Sequence, residues 1–184
     1  MWIVAEKEEG KQVNEEKKKE LPELVKRLPN TCQRTLLKRC AGRSLTDSVK
    51  ALGAYFALKP DHVTPWQEER HFAVVSLYCL WKDDERGSQF PLEECLRCVK
   101  ESESLDHHVM TLLDSRWDEH NDLFQAKLYR LVQLVKSRAQ GFSPDFARLY
   151  QDLLYWDHPD RFIQKRWARV YFNENTDNQT EEEE

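Results

Sequence analysis

Residues 123–172 read LFQAKLYRLVQLVKSRAQGFSPDFARLYQDLLYWDHPDRFIQKRWARVYF. Phe124, Leu128, Leu131 and Val135 recur at i, i+4, i+7 and i+11, the spacing of one face of a 3.6-residue helix. Gly141 is expected to cap that helix, with Ser143 and Pro144 as N-cap and first position of the next. The second stripe is Phe146, Leu149, Tyr150, Leu153 and Leu154. Asp157 and Pro159 then restart the chain into a third helix with Ile163, Trp167 and Val170 facing inward. On its opposite side Arg161, Lys165 and Arg169 fall at i, i+4 and i+8. Three punctuated helices with one basic edge predict a surface that holds something negative, not a catalytic centre.

The rest of the chain extends the same pattern. At 184 residues it is long enough to bury one core of its own. Residues 1–20 form a charged, partly disordered lead, and Leu21, Leu24, Val25 and Leu28 predict a first short helix. Thr31 opens a second helix to Cys40, and Ser44 or Thr46 a third to about Leu58, with Leu52, Tyr55 and Phe56 as its apolar side. Thr64 and Gln67 have capping-box spacing with Pro65 between them, ahead of a strongly apolar helix to Trp81 expected to be central. KDDERGSQ (82–89) reads as a solvated loop. Leu92, Cys95, Leu96 and Val99, then Leu105, Val109, Leu112 and Leu113, mark two more helices. Residues 174–184 carry no apolar side chain and are expected to be a disordered acidic tail. The prediction is one all-α helical-bundle domain of about eight or nine helices over residues 21–173.

A net charge of −5 conceals segregation. Residues 26–50 carry +6, residues 51–126 carry −8 and residues 127–172 carry +5. Two basic segments therefore flank an acidic middle. Basic side chains recur on helical polar faces at Arg34 and Lys38, at Lys127, Arg130 and Arg138, and at Arg161, Lys165 and Arg169. Such groups on rigid helices can neutralise phosphates without reading bases. An acidic protein partner would suit the same faces, so a helical adaptor stands as the alternative.

Other chemistries fare worse. Cys95 and Cys98 with His107 and His108 nearby could ligate zinc, but Cys95 shares a stripe with Leu92, Leu96 and Val99, where a thiol acts as a small hydrophobe. Asp106, His107 and His108, with His62, His71 and Asp114, could suggest a metal phosphohydrolase, but polar residues in a first helical turn explain them more simply. There is no GxSxG, P-loop or Gly-rich dinucleotide turn. No enzyme activity, metal or cofactor is expected. The five cysteines have no disulfide-like spacing and no apolar run reaches a membrane span, so a cytoplasmic protein is expected.

From about Leu112 onward the sequence resembles the CasB family, the small subunit of the type I-E CRISPR surveillance complex Cascade. The resemblance rests on LLDSR (112–116), on residues 127–172 with Asp152-Leu153-Leu154-Tyr155-Trp156 and Trp167-Ala168-Arg169, and on RTLLKRCAG (34–42). It implies an all-helical, non-enzymatic prokaryotic subunit present in two copies beside the backbone and large subunits. Such a subunit stabilises the pairing of guide RNA with target DNA and holds the displaced strand. It further implies nucleic-acid contacts at Lys38, Arg39, Arg116 and Arg130, and along the basic helix of Arg161, Lys165 and Arg169. Where family members often carry arginines before the LLDSR-like segment, this chain has His107 and His108.

Overall fold

A helix apolar on nearly every side can only be central, and Glu68–Tyr78 (α3) is that helix: every residue from His71 to Tyr78 is buried. The computed structural model describes residues 32–173 except 48, 83, 84, 86 and 119–121. The expected lead, the first short helix and the acidic tail lie outside those residues.

Among the described residues there are eight α-helices. Cys32–Arg39 (α1), Val49–Phe56 (α2), Leu92–Cys98 (α4), Glu103–Leu113 (α5), Leu123–Arg138 (α6), Phe146–Leu154 (α7) and Phe162–Phe172 (α8) accompany α3. α1 packs on α2 and α3, α7 on α3, α5 on α6, and α4 on α8. The stripes read from periodicity are the buried ones on α5, α6 and α7: Val109 and Leu112, Leu128 and Leu131, and Leu149 and Leu153 all lie in one core. Fully burying each such side chain contributes about 1.5–3 kcal/mol.

A run of rings fixes the last third. Trp117 meets Phe124 at 5.2 Å between centroids, Phe124 meets Trp156 at 5.2 Å, and Trp156 meets Trp167 at 5.3 Å. Two of the three indoles in the run are hydrogen-bonded: Trp156 Nε1 donates to Ser115 O at 3.0 Å and Trp167 Nε1 to Asp152 Oδ2 at 2.8 Å. The frame that carries the basic edge is therefore rigid.

Several boundaries differ from expectation. Phe142–Pro144 is a strand (β2), not a helix start, and pairs in parallel with Ser88–Phe90 (β1), so the described residues are all-α but for this two-stranded ribbon. Gly87 and Gly141 both take positive φ (53° and 77°), and a Cβ on Gly87 would lie 1.9 Å from Gly141 O. Only glycine admits that crossing. Asp145, one residue past Pro144, is the real N-cap of α7: its Oδ1 accepts from Arg148 N at 2.9 Å. α6 ends at Arg138, before Gly141, which instead serves the ribbon. α2, expected as the third helix, is preceded by a 3-10 turn, Leu45–Asp47, and its Phe56 is half exposed, with Ala51 and Ala54 buried in its place.

The largest correction concerns Arg161. It is not on a helical face but is the residue before α8, in the left-handed region at φ 50°. The Asp157–Pro159 restart comes four residues early because a turn intervenes, and Tyr171 replaces Val170 in the core.

Candidate nucleic-acid interface

The basic side chains sort into those the fold consumes and those it leaves facing water. Arg148 and Arg166 converge on the carboxylate of Glu93, 1% exposed, at 3.4 and 3.3 Å, and Arg166 also binds Asp152. Burial pushes the Glu93 carboxyl above its ordinary range, with Arg166 and Arg148 pulling the other way. Those two arginines are internal counter-ions. Arg34 donates to Trp81 O. Arg138 donates to Val99 O at 3.2 Å and pairs with Glu101 at 3.2 Å. Arg34 and Arg138, expected to meet nucleic acid, thus tie α1 to the end of α3 and α6 to the end of α4.

Lys38, Arg39, Arg116, Arg130, Lys165 and Arg169 are exposed. The last third groups its members around the C-terminal turn of α5. From one side Lys127 Nζ donates to Ser115 Oγ at 2.7 Å. From the other, the Arg161 guanidinium donates to Leu113 O and stands 3.9 Å from Asp114. Arg130 follows Lys127 by one helical turn, and Lys165 and Arg169 follow Arg161 by one and two turns along α8. The three-residue step from Lys127 to Arg130 rises about 4.5 Å along the axis and each four-residue step along α8 about 6 Å.

Lys127 and Arg130 also line a shallow groove of about 230 Å³, closed on the α5 side by His107, His108 and Thr111. His108 Nδ1 bonds Ser104 O at 2.8 Å and Thr111 Oγ1 donates to His107 O at 2.7 Å, so α5 holds this wall itself. Lys127 was legible as a basic position but not as part of a groove; its i, i+3 spacing to Arg130 is the signal. Lys38 and Arg39 sit on α1, whose following turn seats Gly42 (φ 83°) against Tyr129: a Cβ there would lie 2.7 Å from Tyr129 Cβ. The turn after α1 therefore meets α6 beside Arg130.

Among the described residues, no three His, Cys, Asp or Glu side chains are placed to hold a metal ion. Cys95 is fully buried beside Leu92 and Leu96, and burial pushes its thiol up to about 12, while Cys98 is exposed. Asp106 turns from the histidines to Tyr171 Oη at 2.8 Å and Lys100 at 3.1 Å. No helix among the described residues is long and apolar enough to cross a membrane.

The family model described as CRISPR-associated protein Cse2 matches residues 33–172. This chain belongs to the Cse2 family. A CRISPR-associated protein Cse2 from Thermus thermophilus is 31% identical over 154 residues, spanning 74% of this chain and 85% of that protein. A crystal structure of CasB from Thermus thermophilus has a TM-score of 0.63 at 27% identity, over 86% of this chain and 97% of the other. A chain of a CRISPR RNA-guided surveillance complex has the same fold, with a TM-score of 0.65 at 19% identity, over 84% and 92% of the two chains. The resemblance carried by LLDSR and by residues 127–172 is borne out for this Cse2-family chain. The match also reaches α1, whose RTLLKRCAG segment carried the early part of the resemblance.

Proposed function

We propose that this chain is a non-catalytic small subunit of a type I-E Cascade complex that grips nucleic acid without reading sequence. The observation that carries the proposal is the exposed basic set Arg130, Lys165 and Arg169, held on helices that the Trp117–Phe124–Trp156–Trp167 ring run makes rigid. Arg116, Lys38 and Arg39 extend the basic surface, and Lys127 and Arg130 make one wall of the groove cationic. In guide-directed recognition, base pairing reads the sequence and protein contacts to the backbone tip a nearly balanced strand exchange. A subunit that neutralises phosphates of the displaced DNA strand and of the guide RNA–target DNA duplex pushes that exchange forward. Charge and shape suffice for the task, so no cofactor is involved. Its partners are the backbone and large subunits and a second copy of itself, in the prokaryotic cytoplasm.

The test is a salt titration of binding to two unrelated single-stranded oligonucleotides. Arg161 is left intact because it holds the α5 terminus. Replacing Arg130, Lys165 and Arg169 by Ala should reduce the slope of log K against log salt by about 2, at roughly 0.7 per single-strand phosphate contact. The loss should be equal on both sequences. An unchanged slope with an unchanged melting temperature would move the surface to Lys38 and Arg39. Equal loss of binding to an acidic polypeptide would favour the adaptor instead.

A further inference from the structure

The turn between α7 and α8 exposes aromatic rings where the fold gives them nothing to do. Tyr155 is 55% and Phe162 43% exposed, on either side of the fully buried Trp156 and the loop that follows it. Their centroids are 6.3 Å apart, and the exposed His158 ring lies 5.0 Å from Phe162. The three rings make one cluster rather than scattered surface residues.

The turn that carries them is fastened. Asp157 Oδ1 accepts from Trp117 N at 3.0 Å, and its Oδ2 pairs with Arg70 at 3.0 Å. Gln164 Nε2 donates to Trp156 O at 2.6 Å. His158 Nδ1 accepts from Asp160 N at 3.2 Å. Rings on so fixed a frame lose little freedom on meeting a partner. The backbone adds a second sign. Arg161 is the one non-glycine residue at positive φ among the described residues, a conformation costing roughly 1–2 kcal/mol that glycine or asparagine would avoid. It is the N-cap of α8, so Phe162 opens the helix that carries Lys165 and Arg169. The exposed Asp160 is an acidic neighbour, lying 3.7 Å from His158.

We infer that Tyr155, His158 and Phe162 form a stacking platform for unpaired nucleobases, with the strand's phosphates led along α8 by Lys165 and Arg169. This rests on the proposed nucleic-acid grip and adds to it: the surface takes up bases through their π-faces, so it selects unpaired strand over duplex without choosing a sequence. A purely apolar protein contact would not call for a cationic run leading away from the rings. That complementarity commits the platform to a polyanion bearing flat, unpaired rings.

The experiment compares the full chain with its Tyr155→Ala/Phe162→Ala variant on a thymidine oligonucleotide and on an equally long strand with central abasic sites. Wild type should bind the base-bearing strand at least about 10-fold more tightly, the worth of one or two stacked bases. The variant should bind both strands alike, with the wild-type salt slope. A 2-aminopurine placed in the strand should be quenched by wild type, a readout that needs no variant to fold. Equal wild-type affinity for both strands, with salt-dependent binding intact, would overturn the platform alone. No binding to either strand would overturn the grip and the platform together. A variant that keeps its base preference but loses self-association in sedimentation would assign the rings to a second copy of the chain.

Discussion

His71 makes the stability of this protein sensitive to acid, over a window that can be worked out. The ring is 4% exposed in α3, between Tyr55 at 5.7 Å and Tyr150 at 5.3 Å, with Nδ1 3.0 Å from Tyr55 Oη. Burial, then the neighbouring His62 and Lys59, lower its pKa to about 4. In the unfolded chain the ordinary value is about 6.5. Between those values the unfolded state takes up a proton that the folded state refuses. Stability is therefore full above about pH 6.5 and falls as the pH drops toward 4. The full shift is worth about 3 kcal/mol at roughly 1.4 kcal/mol per unit, and about 2 kcal/mol is already lost at pH 5. The assay is urea unfolding at pH 7.5 and pH 5.0 for wild type and His71→Phe, which keeps a ring between the two tyrosines. Tyr55 Oη retains its bond to Glu68 O at 3.2 Å. Exposed histidines contribute equally to both proteins, so the difference between the two pH losses isolates His71. It should be about 2 kcal/mol. Equal losses in both proteins would refute the assignment of the acid sensitivity to this buried ring.

Two further outcomes follow from the packing. Gly87→Ala should cost about 2–4 kcal/mol, from positive φ together with a Cβ pressed onto Gly141 O, read as a drop in melting temperature. Alkylation at pH 8 followed by peptide mapping should modify Cys98 quickly and reach Cys79 and Cys95 only after denaturation, because burial pushes both of those thiols up to about 12; rapid labelling of Cys95 in the folded protein would contradict its place in the core.

What could be read from the chain alone is what depends on near neighbours. The α6 stripe of Phe124, Leu128, Leu131 and Val135 is set by helical period, and all four are buried. Thr64 and Gln67 do meet, Thr64 N donating to Gln67 Oε1 at 3.0 Å, because a capping box is local. Failures came where a partner lies far along the chain. Ser143 and Pro144 look like a helix start until residues 88–90 pair with them. Arg166 and Arg169 are equally basic as letters, but Glu93 takes one inside and leaves the other in water. Arg161 fits an i, i+4, i+8 series by number, yet its left-handed backbone comes from a turn pinned by Arg70 and Trp117. Exposed Phe162 does fall off the Ile163–Trp167 stripe, a sign present in the sequence and easily overlooked beside so many arginines.

The two-stranded ribbon also bears on the order in which the molecule assembles. Ser88 and Phe142 are partners separated by 54 residues, and α4, α5 and α6 lie in the loop between them. Closing a loop of that length from the open chain costs about 3.5 kcal/mol before three short pairings can return anything. The ribbon can hardly be a nucleus; it must wait until the helices have brought Gly87 and Gly141 together. Damage at the crossing should then leave refolding rates nearly untouched and hasten unfolding, so that these two glycines govern how long the folded chain persists rather than how fast it forms.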